Sequence, residues 1–135
     1  MFGKKTQPPI KSLIAQGTHI DGNLQFKEGL RVDGEVFGDV KASPEENGSM
    51  LVISEAAVVQ GAIEADHVII NGTVRGPVHA RELLELQPKA KIEGDVCYVA
   101  LEMHQGATIC GSLRPLMTGA SEDEKPLLKL ASKSA

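Results

Sequence analysis

The sequence has no tryptophan, one tyrosine and three phenylalanines in 135 residues. A core without aromatic bulk has to be filled by aliphatic side chains, alanine and glycine. No apolar run reaches the roughly 18 residues that a membrane-spanning helix needs. The N-terminus carries lysines with no apolar segment behind them, so no secretory signal is expected and the protein is expected to stay inside the cell. The two cysteines, Cys97 and Cys110, lack metal-ligand spacing and are expected to be reduced thiols. Neither CxxC nor HxxxH occurs, and no GK[ST] marks a phosphate loop. His19, His67, His79 and His104 have no Ser, Cys or Asp at the spacing of a nucleophile motif. No catalytic residue, metal or cofactor is therefore expected.

Positive charge is scarce in the body of the chain. Residues 13–117 carry 8 basic and 15 acidic side chains, while residues 1–12 carry Lys4, Lys5 and Lys11 and no acid. An acidic body argues against nucleic acid as a partner, because phosphate contacts need a basic face.

What the chain does have is a repeat. The unit apolar-x-Gly-x-apolar occurs around Gly22, Gly38, Gly61, Gly76, Gly94 and Gly111, advancing by 16, 23, 15, 18 and 17 residues. A recurring step of this size marks a stacked-repeat fold. The alternation within each unit has the period of strands. VDGEVFGDV (32–40) and INGTVRGPV (70–78) share one design 38 residues apart, so pairs of turns resemble each other. The long step contains SPEENGS (43–49), a polar loop whose removal restores a spacing of 16.

These features predict an all-β coil of about six turns, each with three strands of about five residues and three corners. Inward positions form aliphatic columns and outward polar positions face water. Glycine suits crowded inward positions and corners. Pro77, which cannot donate to a ladder, should sit at a corner or strand start. At about 4.8 Å per turn the rod is roughly 30 Å long. Three segments are expected: a flexible arm (1–12), the coil (13–117) and a flexible tail (118–135). Leu127, Leu128 and Leu130 in the tail are too few for a stable lone helix.

The hxGxh units, the two VxGxVxGxV-type segments, the length and the proline-containing tails resemble the bactofilins. The resemblance covers roughly Ser12 to Leu116. It implies a bacterial cytoskeletal protein with a single-stranded right-handed parallel β-helix. It also implies non-polar filaments that form without nucleotide, bind the cytoplasmic membrane and recruit a peptidoglycan synthase or hydrolase. The opening MFGKK resembles the family's membrane-targeting start at Met1, Phe2, Lys4 and Lys5. The irregular loop at 43–49 departs from the family pattern.

Self-assembly has a physical basis beside the resemblance. A stacked coil ends in strands with unpaired N–H and C=O groups, which template further pairing unless covered. The segment before Leu13 is short and proline-rich, and no capping helix is legible after Leu116. Leu13, Ile14, Leu24 and Phe26 at the first turn and Ile109, Leu113 and Leu116 at the last are the expected polymerisation residues. A basic arm repeated along a filament would bind an anionic surface with avidity. Two other readings stay open: a non-polymerising coil that binds a partner, and an acyltransferase of coiled hexapeptides. The hexapeptide register fails across Ile63 to Val74.

Overall fold

The computed structural model describes residues 10–44 and 48–116, and among these there are parallel strands and no helix. The arm residues Met1, Phe2, Lys4 and Lys5 and the tail from residue 117 lie outside the described residues.

Six turns follow one another. The first holds β1 (Ser12–Ile14), β2 (His19–Asp21) and β3 (Leu24–Phe26). The second holds β4 (Gly29–Val32), β5 (Glu35–Phe37) and β6 (Val40–Ala42). The third holds β7 (Met50–Ile53), β8 (Val58–Gln60) and the first half of β9 (Ile63–Ile70). The fourth takes the rest of β9, then β10 (Thr73–Arg75) and the start of β11 (Val78–Leu86). The fifth takes the rest of β11, then β12 (Lys91–Glu93) and β13 (Val96–Tyr98). The sixth holds β14 (Ala100–Met103), β15 (Thr108–Cys110) and β16 (Leu113–Pro115).

Stacking makes three faces. Face one begins with β1, face two with β2 and face three with β3. Because β9 and β11 run unbroken round one corner, faces one and three join into a ten-stranded sheet, and face two is a separate six-stranded sheet. Most strands are three or four residues long, shorter than the five expected from the alternation. VDGEVFGDV is not one strand: it leaves β4, fills β5 and enters β6, keeping its alternation through two corners.

Inward residues pair in register and form columns. One is Ile20, Val36, Val59, Val74, Ile92 and Ile109. Another is Leu24, Val40, Ile63, Val78, Val96 and Leu113. A third is Ile14, Val32, Ile53, Ile70, Leu86 and Met103. The members on turns two to five are fully buried. Each such side chain contributes about 1.5–3 kcal/mol. These aliphatic stacks replace the missing aromatic bulk.

The glycines of the repeat stand at the corner between faces two and three, not in mid-strand. Gly38, Gly61, Gly76, Gly94 and Gly111 have φ between +151° and +158°. A Cβ on any of them would lie 2.0–2.5 Å from the carbonyl oxygen of the glycine one turn earlier. Only glycine lets the turns stack there. The next position carries a second ladder: Asn23 Oδ1 accepts the Asp39 N–H, Asp39 Oδ1 accepts the Ala62 N–H, and Asp95 Oδ1 accepts the Ser112 N–H. The break in that ladder is complementary. Ala62 offers no acceptor, and Pro77 above it has no donor, at the corner where Pro77 was expected.

The corner between faces one and two explains why pairs of turns resemble each other. It has four residues in turns one, three, five and six, and two residues in turns two and four. In all four long corners the fourth residue donates its N–H to the first: Thr18 to Ala15, Ala57 to Ser54, Ala90 to Gln87 and Ala107 to His104. The short corners Asp33-Gly34 and Asn71-Gly72 tuck beneath them, and a Cβ on Gly72 would lie 2.2 Å from the Ser54 carbonyl oxygen.

The loop predicted at 43–49 leaves from the third corner, between β6 and β7. Its feet are packed, with Ser43 and Ser49 buried. The buried Asp66 carboxylate accepts the backbone N–H groups of Gly48 and Ser49 and the Arg81 Nε–H at 2.8 Å. Ser49 Oγ accepts the Asp66 N–H at 3.0 Å, and Arg81 also pairs with Glu64 at 2.9 Å. Burial works to raise the Asp66 carboxyl, but the hydrogen bonds from Arg81, Ser49 and Gly48 outweigh it and hold its pKa below the ordinary value.

One expectation about the outer surface is corrected. The outward positions are not uniformly polar. Val52, Ile69 and Leu83 point outward from face one on turns three to five, in register with Arg31, His67 and Glu85, and Met50 takes an outward register position but is buried.

Candidate assembly faces

The two ends of the coil are where its pattern stops without closing. β1, β2 and β3 pair only with β4, β5 and β6, and β14, β15 and β16 only with β11, β12 and β13. Their other edges have no strand partner among the described residues. In a parallel ladder alternate residues direct both backbone polar groups to one side, so each end presents a triangular rim of unpaired donors and acceptors.

Inside each rim the aliphatic columns run out. At the first end Ile14 and Phe26 are buried, while Ile20 and Leu24 are half-buried. Phe26 fills a corner that carries only Ala42 on the next turn. Leu13 is 58% exposed and pairs with outward Arg31, so it stands on the outer lip of the rim and not over the core. At the last end Ile109, Leu113 and Leu116 are half-buried. The Leu116 N–H bonds to the Tyr98 carbonyl.

The structure adds residues to both faces. Ile20 ends the first column, and Leu101 and Met103 end two more at the opposite face, with Met103 44% exposed. Ile20 belongs to the first hxGxh unit and was legible there. Met103 follows Leu101 at period two, but a methionine beside charged Glu102 and His104 gives a weak strand signal. Among the described residues, no inward side chain at the last face matches the bulk and burial of Phe26.

Polar ties hold each terminal turn to the one beneath. His19 bonds Glu35 Oε1 across turns one and two through Nδ1 and Asp21 Oδ1 through Nε2, both at 3.0 Å, with Phe37 edge-on to its ring. The Glu35 and Asp21 hydrogen bonds raise its pKa above the ordinary value. Ser112 donates backbone and hydroxyl hydrogens to Asp95, which lowers the pKa of that carboxyl.

The histidines lie on the outer surface, mostly against carboxylates. His67 contacts Glu82 at 3.0 Å, His104 contacts Glu85 at 3.3 Å, and His79 has Glu64 and Cys97 as register neighbours. Glu85, Glu102 and His104 gather on the outside of turns five and six, with ligand-type atoms within 4.8 Å of one another. Two of the three are exposed, and clustered surface carboxylates are common without an ion. No helix among the described residues is long and apolar enough to cross a membrane.

A six-turn parallel coil whose two apolar ends have unpaired strand edges among the described residues suits growth by stacking. The family model for Bactofilin, described as polymer-forming cytoskeletal, matches residues 12–114. The chain belongs to the bactofilin family. The matched span takes in all six turns of the coil. A Myxococcus xanthus relative, bactofilin BacO, is 29% identical over 112 residues, covering 83% of this chain and 85% of the relative. A second from the same organism, bactofilin BacP, is 26% identical over 100 residues, covering 74% of this chain and 40% of that longer relative. No solved structure matches the chain. As a bactofilin, it is a polymer-forming cytoskeletal protein.

Proposed function

We propose that this bactofilin assembles end to end, without nucleotide, into non-polar filaments. They lie on the inner face of the cytoplasmic membrane and scaffold peptidoglycan enzymes for cell shape or polar morphogenesis. The observation that carries the reading is the contrast along the columns: fully buried on turns two to five, while Ile20 and Leu24 at one end and Ile109 and Leu113 at the other are only half-buried. Joining two ends completes the hydrogen-bond ladders and buries those side chains, which supplies the driving force without a bound nucleotide. Met1, Phe2, Lys4 and Lys5 supply the membrane contact through the family's opening pattern. Repetition along a filament raises avidity, since each arm by itself contributes only about 1 kcal/mol per lysine. The cell-wall partner rests on the family resemblance.

Negative-stain electron microscopy of the purified protein without nucleotide, with and without anionic liposomes, tests the reading. Filaments that line the vesicles are expected. Leu113→Arg should leave the circular dichroism spectrum unchanged and shorten or abolish filaments. Removal of residues 2–5 should release intact filaments from liposomes. Discrete particles at every concentration would overturn end stacking and favour a binding scaffold.

A further inference from the structure

The outer side of face one carries an apolar strip that the coil itself leaves without a partner. Val52, Ile69 and Leu83 are half-buried and point outward on adjacent turns, beside Met50, which is already buried. Val52 and Ile69 also line a groove of about 410 Å³ that runs to the corner walled by Glu55 and Gln87. On the last-end side of the strip, Glu85 and Glu102 are register partners with carboxylates within 4.8 Å of each other; His104 at 3.3 Å and Gln87 at 3.2 Å contact Glu85, and Glu102 is exposed. Like charges directly opposite in a ladder repel, so this spot favours an added cation.

We infer that the C-terminal segment of the same chain, Lys125–Leu130, docks on this strip. Leu127, Leu128 and Leu130 would lie on the Val52–Ile69–Leu83 surface, with Lys125 or Lys129 at the Glu85–Glu102 pair.

Three observations select that occupant. The first is the exit. β16 closes face three, and in each earlier turn the chain then passes over the third corner onto face one. Leu116 therefore points the chain toward the edge of face one at turn six. The second is reach. Ten residues separate Leu116 from Leu127, and a chain spans up to about 3.3 Å per residue. The far end of the strip is three turns away, about 14 Å. The third is composition: KPLLKL places three leucines and two lysines in six residues, matching an apolar strip with an acidic margin. Three half-buried side chains beside an already buried Met50 are far short of the roughly 800 Å² per partner of a stable protein interface. They suit a short segment better than a second copy.

The inference does not depend on end stacking, since face one is a side of the rod. Its test uses the full chain with a photo-crosslinking residue in place of Leu128, followed by peptide mapping. Crosslinks to β7, β9 and β11 within one chain are expected. Lys129→Glu should reduce their yield severalfold, and combining it with Glu102→Lys should restore it. Ile69→Lys should abolish them with the fold retained by circular dichroism, and Leu130→Asp gives the same loss without touching the coil. Crosslinks scattered over all three faces, or mapping to faces two and three, would overturn the inference. So would crosslinks joining isotopically heavy and light chains, which would mean a second copy, and an unchanged pattern in Lys129→Glu and Leu130→Asp.

Discussion

The first and last turns are built from the same pattern as the four between them, yet they are a different kind of surface. Val36, Val59, Val74 and Ile92 are buried, while Ile20 and Ile109, at the two ends of the same column, are half-exposed. Glycines show the same contrast. A Cβ on Gly61 would lie 2.2 Å from the Gly38 carbonyl oxygen, whereas a Cβ on Gly22 would meet nothing within 4 Å. Gly22 has a comparable φ of +133° but no turn beneath it. A repeat is saturated where it has neighbours on both sides and unfinished where it has one. The unfinished turns are the ones that the proposed end-to-end assembly would use.

The glycine pair gives the largest expected effect. Gly61→Ala forces a side chain into backbone that cannot move aside, and should cost more than about 3 kcal/mol or prevent folding. Gly22→Ala carries only the local conformational strain of its positive φ, about 1–3 kcal/mol. Its new methyl projects from the first end, so filaments should fail there while the fold persists. Urea denaturation and electron microscopy of the two variants separate these outcomes. Equal losses of stability would contradict the contrast.

Truncation within one column gives a smaller, graded version. Ile92→Ala should destabilise by about 2–4 kcal/mol, whereas Ile109→Ala, already half-exposed, should cost about 1 kcal/mol in the unassembled protein. Under assembling conditions the Ile109→Ala deficit should grow, because stacking buries that side chain. A deficit that stays the same on assembly would place the joint elsewhere.

The smallest single effect, that of His19, is in pH. Asp66, buried in the interior of the rod, has a folded-state pKa held below 3.8. Its contribution is present above the unfolded value and lost as pH falls through the folded one. Asp66→Asn should cost about 2 kcal/mol at neutral pH and flatten the acid limb of a stability curve. His19, on the exposed first turn, has its pKa raised above 6.5. Its contribution is present below the unfolded value and fades as pH rises through the folded one. Solvent screens that pair, so His19→Ala should alter the curve only slightly near neutrality. A larger effect from His19 than from Asp66 would reverse the ordering of end and interior.

Much of this was legible from residues. The glycine steps of 16, 23, 15, 18 and 17 are the same steps by which Ile20, Val36, Val59, Val74, Ile92 and Ile109 succeed one another in the coil. The loop at 43–49 and the corner position of Pro77 were equally plain. Less legible was the placement of glycine. An hxGxh unit alternates as a strand does, and only stacking shows that its glycine is a corner pressed against the carbonyl of the turn before. The outward apolar strip was hidden for a related reason. In β9 and β11, Ile69 and Leu83 sit next to the inward Ile70 and Leu84, and a run of aliphatic residues does not declare which members point out.

The sequence by itself determined the repeat, the number of turns and the inward columns, because strand alternation and glycine spacing are local properties that survive in one dimension. The tertiary structure decided which repeats are interior and which are ends, which face carries surplus apolar surface, and how Asp66 and Arg81 anchor an inserted loop. Those depend on what lies one turn above or below, 15 to 23 residues away along the chain. Burial, register and unpaired edges exist only once the turns are stacked.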